Sequence, residues 1–207
     1  MGSAARAAED IARAVRERRS IRSFRDEPVP RDLVEDLLRD ALWAPSPHNS
    51  QPWRFTVLFE PADRERLASA MADQLAAELR ADGVDATAIE RQTSRSRQRI
   101  SSAPVVILCS LVTDDLVTFP DERRSMLEWR MAVQSIGAVL QTLFLLGWSR
   151  DLGSCWMAAP MYCPEVVRAA LDLPQRYVPQ ALVLMGYPAT SGKVRERLPL
   201  SEAVDLR

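Results

Sequence analysis

Two kinds of segment in this 207-residue chain carry residue types suited to ligand chemistry. The first is a loop, APSPHNSQPWRF at residues 44–55, which holds three prolines, the chain's only histidine and the side-chain amides of Asn49 and Gln51. Prolines fix backbone φ angles, and a plain surface connection does not need so many side-chain amides. The composition is typical of a loop that holds polar groups around a ligand. The second kind of segment is rich in arginine.

Three arginine-rich segments stand out, RERRSIRSF at 16–24, RQTSRSRQR at 91–99 and KVRERLPL at 193–200. A guanidinium group binds phosphate oxygens through a forked pair of donors, so one interpretation is that the first and last segments converge on a phosphate. The other interpretation is a solvated charged face, because 27 residues are basic and only Lys193 is a lysine. For the middle segment, contact with a ligand and a solvated face both remain open. Its arginines are Arg91, Arg95, Arg97 and Arg99.

Several common catalytic signatures are absent from the sequence. One histidine cannot build a histidine-rich metal centre, and Cys109, Cys155 and Cys163 lack zinc-binding spacing, so no metal site is predicted. The chain contains no P-loop, no G-x-G-x-x-G and no G-x-S-x-G motif. Its side chains are poorly equipped for hydrolysis, and no catalytic side chain is predicted. Difficult chemistry would fall to a bound cofactor.

Composition limits the partners and the compartment that we expect. The net charge of −1 gives no overall field that would attract nucleic acid or anionic lipid. No uninterrupted apolar stretch reaches about 18 residues, so no membrane span is predicted. The charged N-terminal segment does not resemble a signal peptide, and cysteines in apolar runs are typical of a reducing compartment. A cytoplasmic location is therefore predicted.

Hydrophobic periodicity divides the chain into helices and strands that mix without a regular βαβ rhythm, which favours an α+β fold. Helices are predicted at residues 4–19, 31–43, 122–148 and 163–172, with two more inside 62–101 that Gly83 separates. Strands are predicted at residues 53–60, 104–112, 153–160 and 178–188. The segment after residue 188 is polar and has little core of its own.

Four motifs in a fixed order resemble the flavin-dependent nitroreductase family, namely RRSIRSF, APSPHNSQPWRF, GSCWMAA and RERLPLSEAV. The resemblance extends over residues 11–204. It implies a nitroreductase-like α+β fold, in which helices flank a mainly antiparallel central sheet. It also implies one FMN-binding domain over residues 1–207, with 62–101 as a variable helical insert over the site. The expected assembly is a homodimer with FMN at the interface and a domain-swapped C-terminal tail.

The resemblance also assigns roles to individual residues. It implies that Arg22 is a cation near flavin N1 and O2, where reduced flavin carries negative charge. The loop with Ser46, Pro47 and Asn49 would reach the flavin of the other subunit. The backbone of Ala158 and Ala159 would donate N–H groups towards flavin N5. The basic residues of the first and last segments would hold the phosphate and ribityl chain. The implied cofactor-binding residues are Arg18, Arg19, Ser20, Arg22, Ser46, Pro47, His48, Asn49, Gln51, Ala158, Ala159, Arg195 and Arg197.

The longer stretches of the chain are similar to the nitroreductase-like C-terminal domain of the actinobacterial γ-glutamyl ligase that completes the deazaflavin coenzyme. The leading function implied is an FMN oxidoreductase that transfers electrons from NAD(P)H to a nitroaromatic, a quinone or another electron-poor acceptor. The first alternative is a deazaflavin-binding reductase of a dehydro precursor, and the second is a non-catalytic FMN-binding protein. The general nitroreductase pattern is favoured by His48-Asn49-Ser50, where the deazaflavin-linked domain tends to carry His-His-Thr.

Overall fold

The computed structural model describes residues 3–207 and has an antiparallel four-stranded sheet at its centre. The strands lie side by side in the order β1-β2-β4-β3, and every neighbouring pair is antiparallel. Met1 and Gly2, which belong to the predicted domain, lie outside the described residues. The α+β prediction is confirmed. The strands are β1 (Trp53–Leu58), β2 (Val105–Val112), β3 (Gly153–Met157) and β4 (Tyr177–Gly186).

Helices cover both faces of the sheet. Six of the seven in the described residues lie close to their predicted positions, and the short helix at residues 200–203 was not predicted. The helices are α1 (Ser3–Glu17), α2 (Arg31–Ala41), α3 (Pro61–Ala81), α4 (Ala86–Ser101), α5 (Glu122–Trp148), α6 (Pro164–Leu171) and α7 (Leu200–Ala203). Side chains on β2 alternate between the faces, as strand geometry requires. Ile107 and Leu111 pack in the cluster of α2 and α5, whereas Val106 and Leu108 pack in the cluster of α3, α4 and α6.

The segment predicted as a helical insert supplies α3 and α4, two of the three helices in the second of these layers. Leu67 of α3 and Ile100 of α4 are fully buried against the sheet, so the pair supplies part of the core. The turn between α3 and α4 contains Gly83, whose φ of +74° suits a residue without Cβ. Asp85 then caps α4, because its Oδ1 accepts a hydrogen bond from Ala88 N at 2.9 Å. The variability of this segment stays a prediction.

Helix α5 is long and apolar enough to cross a membrane by length and composition alone, with a mean hydropathy of 1.5 over its best window. Ile136, Leu140 and Leu143 of this helix are buried in the cluster that includes the sheet residues Ile107 and Val183. The central helix of a compact domain meets the same hydropathy test, because it too must bury an apolar face. The packing of α5 is that of a core helix.

Candidate functional site

A cationic cavity of about 760 Å³ is the candidate site. Three parts of the chain that are far apart in sequence line it, namely the segment after α1, the C-terminal half of α4 and the tail after β4. The structure therefore brings residues of all three arginine-rich segments to one place. The lining residues that carry positive charge are Arg18, Arg19, Arg22, Arg95, Arg99, Lys193, Arg195 and Arg197.

The first basic segment is held along the edge of strand β3. Ile21 N donates a hydrogen bond to Ser154 O at 2.9 Å, and Ser20 forms a parallel bridge with Ser154. The two backbones approach closely because residue 153 is a glycine. A Cβ on Gly153 would lie within 3 Å of three side-chain atoms of Ile21. Strand β3 thereby fixes the position of Arg18 and Arg22.

The tail reaches the same place through a second set of backbone contacts. Arg25 N donates to Tyr187 O at 2.8 Å, and Ala189 N donates to Ser23 O at 3.0 Å. The chain then turns at Gly192, which has a φ of +75°. A Cβ at Gly192 would lie 2.8 Å from Arg19 Cβ, so this close approach also needs glycine. The turn places the basic residues that follow it beside the first segment.

The electrostatics of the cavity favour an anion. None of its eight cationic side chains forms an ion pair with a carboxylate of the described residues. Burial lowers the pKa of Arg18, and the nearby charges of Arg19 and Arg197 lower it further. The Nε atom of Arg18 is buried and has no hydrogen-bond partner among the described residues. A phosphate would supply both the missing acceptor and the missing negative charge.

The arginines of the middle segment separate into two groups on α4. Arg95 and Arg99 line the cavity, together with Gln98 and Ser102. Arg97 instead pairs with Glu65 of α3, and Arg91 is exposed outside the cavity lining. The sequence did not assign these side chains to faces. Four-residue spacing was a partial signal, because residues four apart share a helix face. It separates Arg97 from Arg91, Arg95 and Arg99, but it does not show that the cavity ends before Arg91.

The proline-rich loop does not line the cavity formed within one chain. Residues 47–49 form a 3₁₀ turn, and His48, Asn49 and Gln51 have φ values of 53°, 54° and 46°. Residues with a Cβ avoid this left-handed region unless surrounding contacts hold them there. One such contact is Ser46 Oγ, which accepts a hydrogen bond from Gln51 N at 3.0 Å. Contacts of this loop with a flavin of another subunit stay a prediction.

The backbone after β3 carries the other predicted flavin contact. Ala158 is exposed and Ala159 is partly exposed at the start of the 3₁₀ turn Ala159–Tyr162. Among the residues that the structure describes, neither N–H donates a backbone hydrogen bond in this turn. Neither alanine lines the cationic cavity formed within one chain. Their predicted role as donors to flavin N5 stays a prediction.

The sequence and the fold of this chain match those of known proteins. The model of the nitroreductase family matches residues 15–187. The chain belongs to the nitroreductase family. A relative from Thermus thermophilus, described as NADH dehydrogenase, is 31% identical, and the match covers 94% of this chain and 95% of the relative.

Solved structures of the nitroreductase family have the same fold. A protein from Desulfovibrio desulfuricans, described as a nitroreductase in complex with FMN, is 26% identical with a TM-score of 0.73, and the match covers 95% of this chain and 96% of that one. The FMN-dependent nitroreductase NfnB from Mycobacterium smegmatis, in complex with NADPH, has a TM-score of 0.77 at 23% identity. That match covers 97% of this chain and 99% of NfnB, and it bears on the fold alone.

Proposed function

We propose that this chain is an FMN-dependent oxidoreductase that takes electrons from NAD(P)H and passes them to nitroaromatics, quinones or similar electron-poor acceptors. The observation that carries the proposal is the cavity in which the segment after α1 and the tail present cations without a carboxylate partner. The donor set fits the phosphate of FMN, since the orphaned Nε of Arg18 and the neighbouring Arg197 need an anion. Family membership and the FMN complex of the Desulfovibrio relative support the same cofactor.

Each part of the site has a physical role in this function. When bound, FMN supplies the redox chemistry, so no protein side chain needs to act as acid or base. Arg18, Arg19 and Ser20 hold the phosphate and ribityl chain from one side. Arg195 and Arg197 close on the phosphate from the tail.

The ring is positioned by groups from both subunits in this proposal. Arg22 stands beside N1 and O2, while the N–H groups of Ala158 and Ala159 point to N5. The loop that contains Ser46, Pro47, His48, Asn49 and Gln51 reaches the flavin of the other subunit. Its fixed left-handed conformation costs free energy, which a role in holding polar groups at set positions would explain.

The active form in this proposal is a homodimer in which each tail wraps the partner. Apolar side chains that a monomer would leave in water support it, with Trp43 at 89% and Leu206 at 87% exposed. Leu198 and Leu200 of the tail are each 71% exposed. We expect sedimentation velocity to give twice the 23.2 kDa chain mass for the FMN-loaded protein. A folded monomer that retains FMN would contradict this assembly.

Two alternatives predict different behaviour of the purified protein. A deazaflavin-binding reductase would bind that coenzyme tightly, and a storage or sensing protein would bind FMN without turnover. None of the relatives named above is described as a deazaflavin protein. A cytoplasmic location remains the expectation from the cysteines.

The absorption spectrum of the purified protein tests the proposed function directly. We expect a yellow protein whose flavin band bleaches when NADH or NADPH is added without oxygen, and returns on addition of a quinone or a nitroaromatic. A yellow protein that neither nicotinamide bleaches would support an FMN-binding protein without turnover. A yellow protein that neither nicotinamide bleaches, but that binds a deazaflavin tightly, would support the other alternative.

Replacing Arg22 separates electron transfer from simple cofactor binding. Arg22 lines the cavity, and its Nη1 donates only a long hydrogen bond of 3.4 Å to Ser20 O. Its charge favours reduced, anionic flavin over the oxidised ring, so Arg22→Met is expected to keep FMN while the midpoint potential falls. A differential interaction of about 1.4 kcal/mol corresponds to about 30 mV for a two-electron couple. Spectroelectrochemical titration measures the change.

Arg25→Met is the matched control, because Arg25 pairs with Glu27 at 3.1 Å and does not line the cationic cavity. Its midpoint potential should stay at the wild-type value. Equal potentials in the wild type and Arg22→Met, with FMN bound in both, would show that Arg22 is not the N1 partner.

A further inference from the structure

Two arginines of α4 add positive charge to the cavity beyond what the segment after α1 and the tail supply. Arg95 and Arg99 are four residues apart and therefore share one face of the helix. Gln98 and Ser102 accompany them in the cavity lining and offer an amide and a hydroxyl as further donors. Neither arginine pairs with a carboxylate among the described residues, although Arg97 on the same helix does.

The charges of the cavity exceed what one FMN phosphate requires. A phosphate monoester carries about two negative charges at neutral pH. Arg18, Arg19 and Ser20 with the tail residues Arg195 and Arg197 already surround it in the proposed arrangement. Arg95 and Arg99 would add two unmatched cations whose mutual repulsion disfavours an empty site. A second anionic group would offset that repulsion.

Arg95 and Arg99 line the same cavity as Arg22, the residue assigned to the flavin ring. A second substrate must approach the ring to exchange electrons, so an anionic group on that substrate comes near α4.

We propose that Arg95 and Arg99, with Gln98 and Ser102, form a second anion subsite that binds a phosphate or carboxylate of the substrate that exchanges electrons with the flavin. This inference rests on the proposed function. The anion has two possible sources, which are the 2′-phosphate that distinguishes NADPH from NADH and an acidic group on the electron acceptor. Guanidinium forks suit both, because each presents two oxygens in a plane.

Binding measurements test the subsite without relying on turnover. FMN-loaded wild type, Arg95→Gln, Arg99→Gln and the double variant are titrated calorimetrically with adenosine 2′,5′-bisphosphate, AMP, 4-nitrobenzoate and 4-nitrobenzamide. Each pair of probes differs by one anionic group. Loss of a charge-assisted hydrogen bond corresponds to about a 10- to 100-fold weaker affinity for the probe that carries the anion, with little change for its partner. The ratio of kcat/KM for NADPH and NADH is measured alongside.

Controls separate a local effect from a general loss of charge or fold. Arg91→Gln removes the same charge from the same helix outside the cavity and should leave every affinity unchanged. Arg99→Lys keeps the charge but loses the fork, so it should retain part of the preference for the anionic probe. Thermal unfolding of each variant checks that α4 stays folded.

The outcomes decide between the sources or overturn the subsite. A selective loss of affinity for the bisphosphate, with a lower ratio of kcat/KM for NADPH to that for NADH, assigns the subsite to the coenzyme. A selective loss of affinity for 4-nitrobenzoate assigns it to the acceptor. Equal affinities for both members of each pair in every protein would overturn the subsite. A loss of FMN affinity in the Arg95 or Arg99 variants would also overturn the subsite, because these arginines would then bind the cofactor. Failure of the proposed function is distinct, since the wild type would then lack a bleachable flavin.

Discussion

Replacing Arg18 by alanine is expected to weaken FMN binding by about 10- to 150-fold, which corresponds to about 1.5–3 kcal/mol for a charge-assisted hydrogen bond. Arg18 combines a buried Nε that lacks a partner with two neighbouring cations, Arg19 and Arg197. A phosphate bound there gains more binding free energy than it would from an exposed surface arginine, because partial burial reduces screening by water. Arg197→Ala should act in the same direction. Fluorescence titration of the FMN-depleted protein gives the dissociation constants.

Riboflavin and a neighbouring arginine provide the controls. Riboflavin lacks the phosphate, so the wild type and Arg18→Ala should bind it about equally. Arg16→Ala removes the same charge two residues earlier, where the side chain is exposed and pairs with Glu9 at 2.8 Å. It should leave FMN affinity near the wild-type value. If Arg18→Ala weakened the binding of riboflavin as much as that of FMN, the arginine would have a structural role. Its guanidinium lies 6.0 Å from the centroid of the Phe144 ring.

Adding a methyl group at Gly153 is expected to destabilise the protein by about 2–3 kcal/mol, within the range for overpacked cores. The new Cβ would lie 2.7 Å from Ile21 Cγ1 and 2.8 Å from Ile21 Cβ. Ile21 is branched at Cβ and buried, so it cannot turn away without moving the backbone. The segment from Arg18 to Arg22 would then leave the edge of β3. Urea unfolding of Gly153→Ala measures the loss, and FMN titration should show weaker binding as well.

Gly147→Ala is the matched control for that substitution. Gly147 is also buried, but a Cβ there would meet only the flexible end of Met185 at 3.4 Å and Leu152 Cβ at 3.9 Å. The free energy of unfolding of Gly147→Ala should differ from the wild-type value by less than about 1 kcal/mol. The new methyl makes ordinary contacts, and alanine favours the helix. Unfolding free energies that agree within error for Gly153→Ala and the wild type would mean that the two backbones separate at little cost.

The sequence by itself determined the four strands, six of the seven helices of the described residues and the fold class. The run VVILCSLV predicted a buried strand, and the apolar spacing along residues 122–148 predicted the long core helix. These patterns are local, because side-chain alternation and helical periodicity depend on residues within a few positions of each other. The sequence also identified the segments 16–24 and 193–200 as candidates for one phosphate, since residue type alone indicates that chemistry.

Only the tertiary structure decided which residues meet at the site. The close approaches at Gly153 and Gly192 bring the two terminal segments together, and no local pattern marks these glycines among the seven in the chain. The packing of α4 on the sheet directs Arg95 and Arg99 to the cavity and leaves Arg97 with Glu65. The left-handed conformation of His48 and its neighbours likewise opposes the local preference of residues with a Cβ. Each of these features depends on contacts between residues far apart in sequence, which periodicity and residue type do not encode.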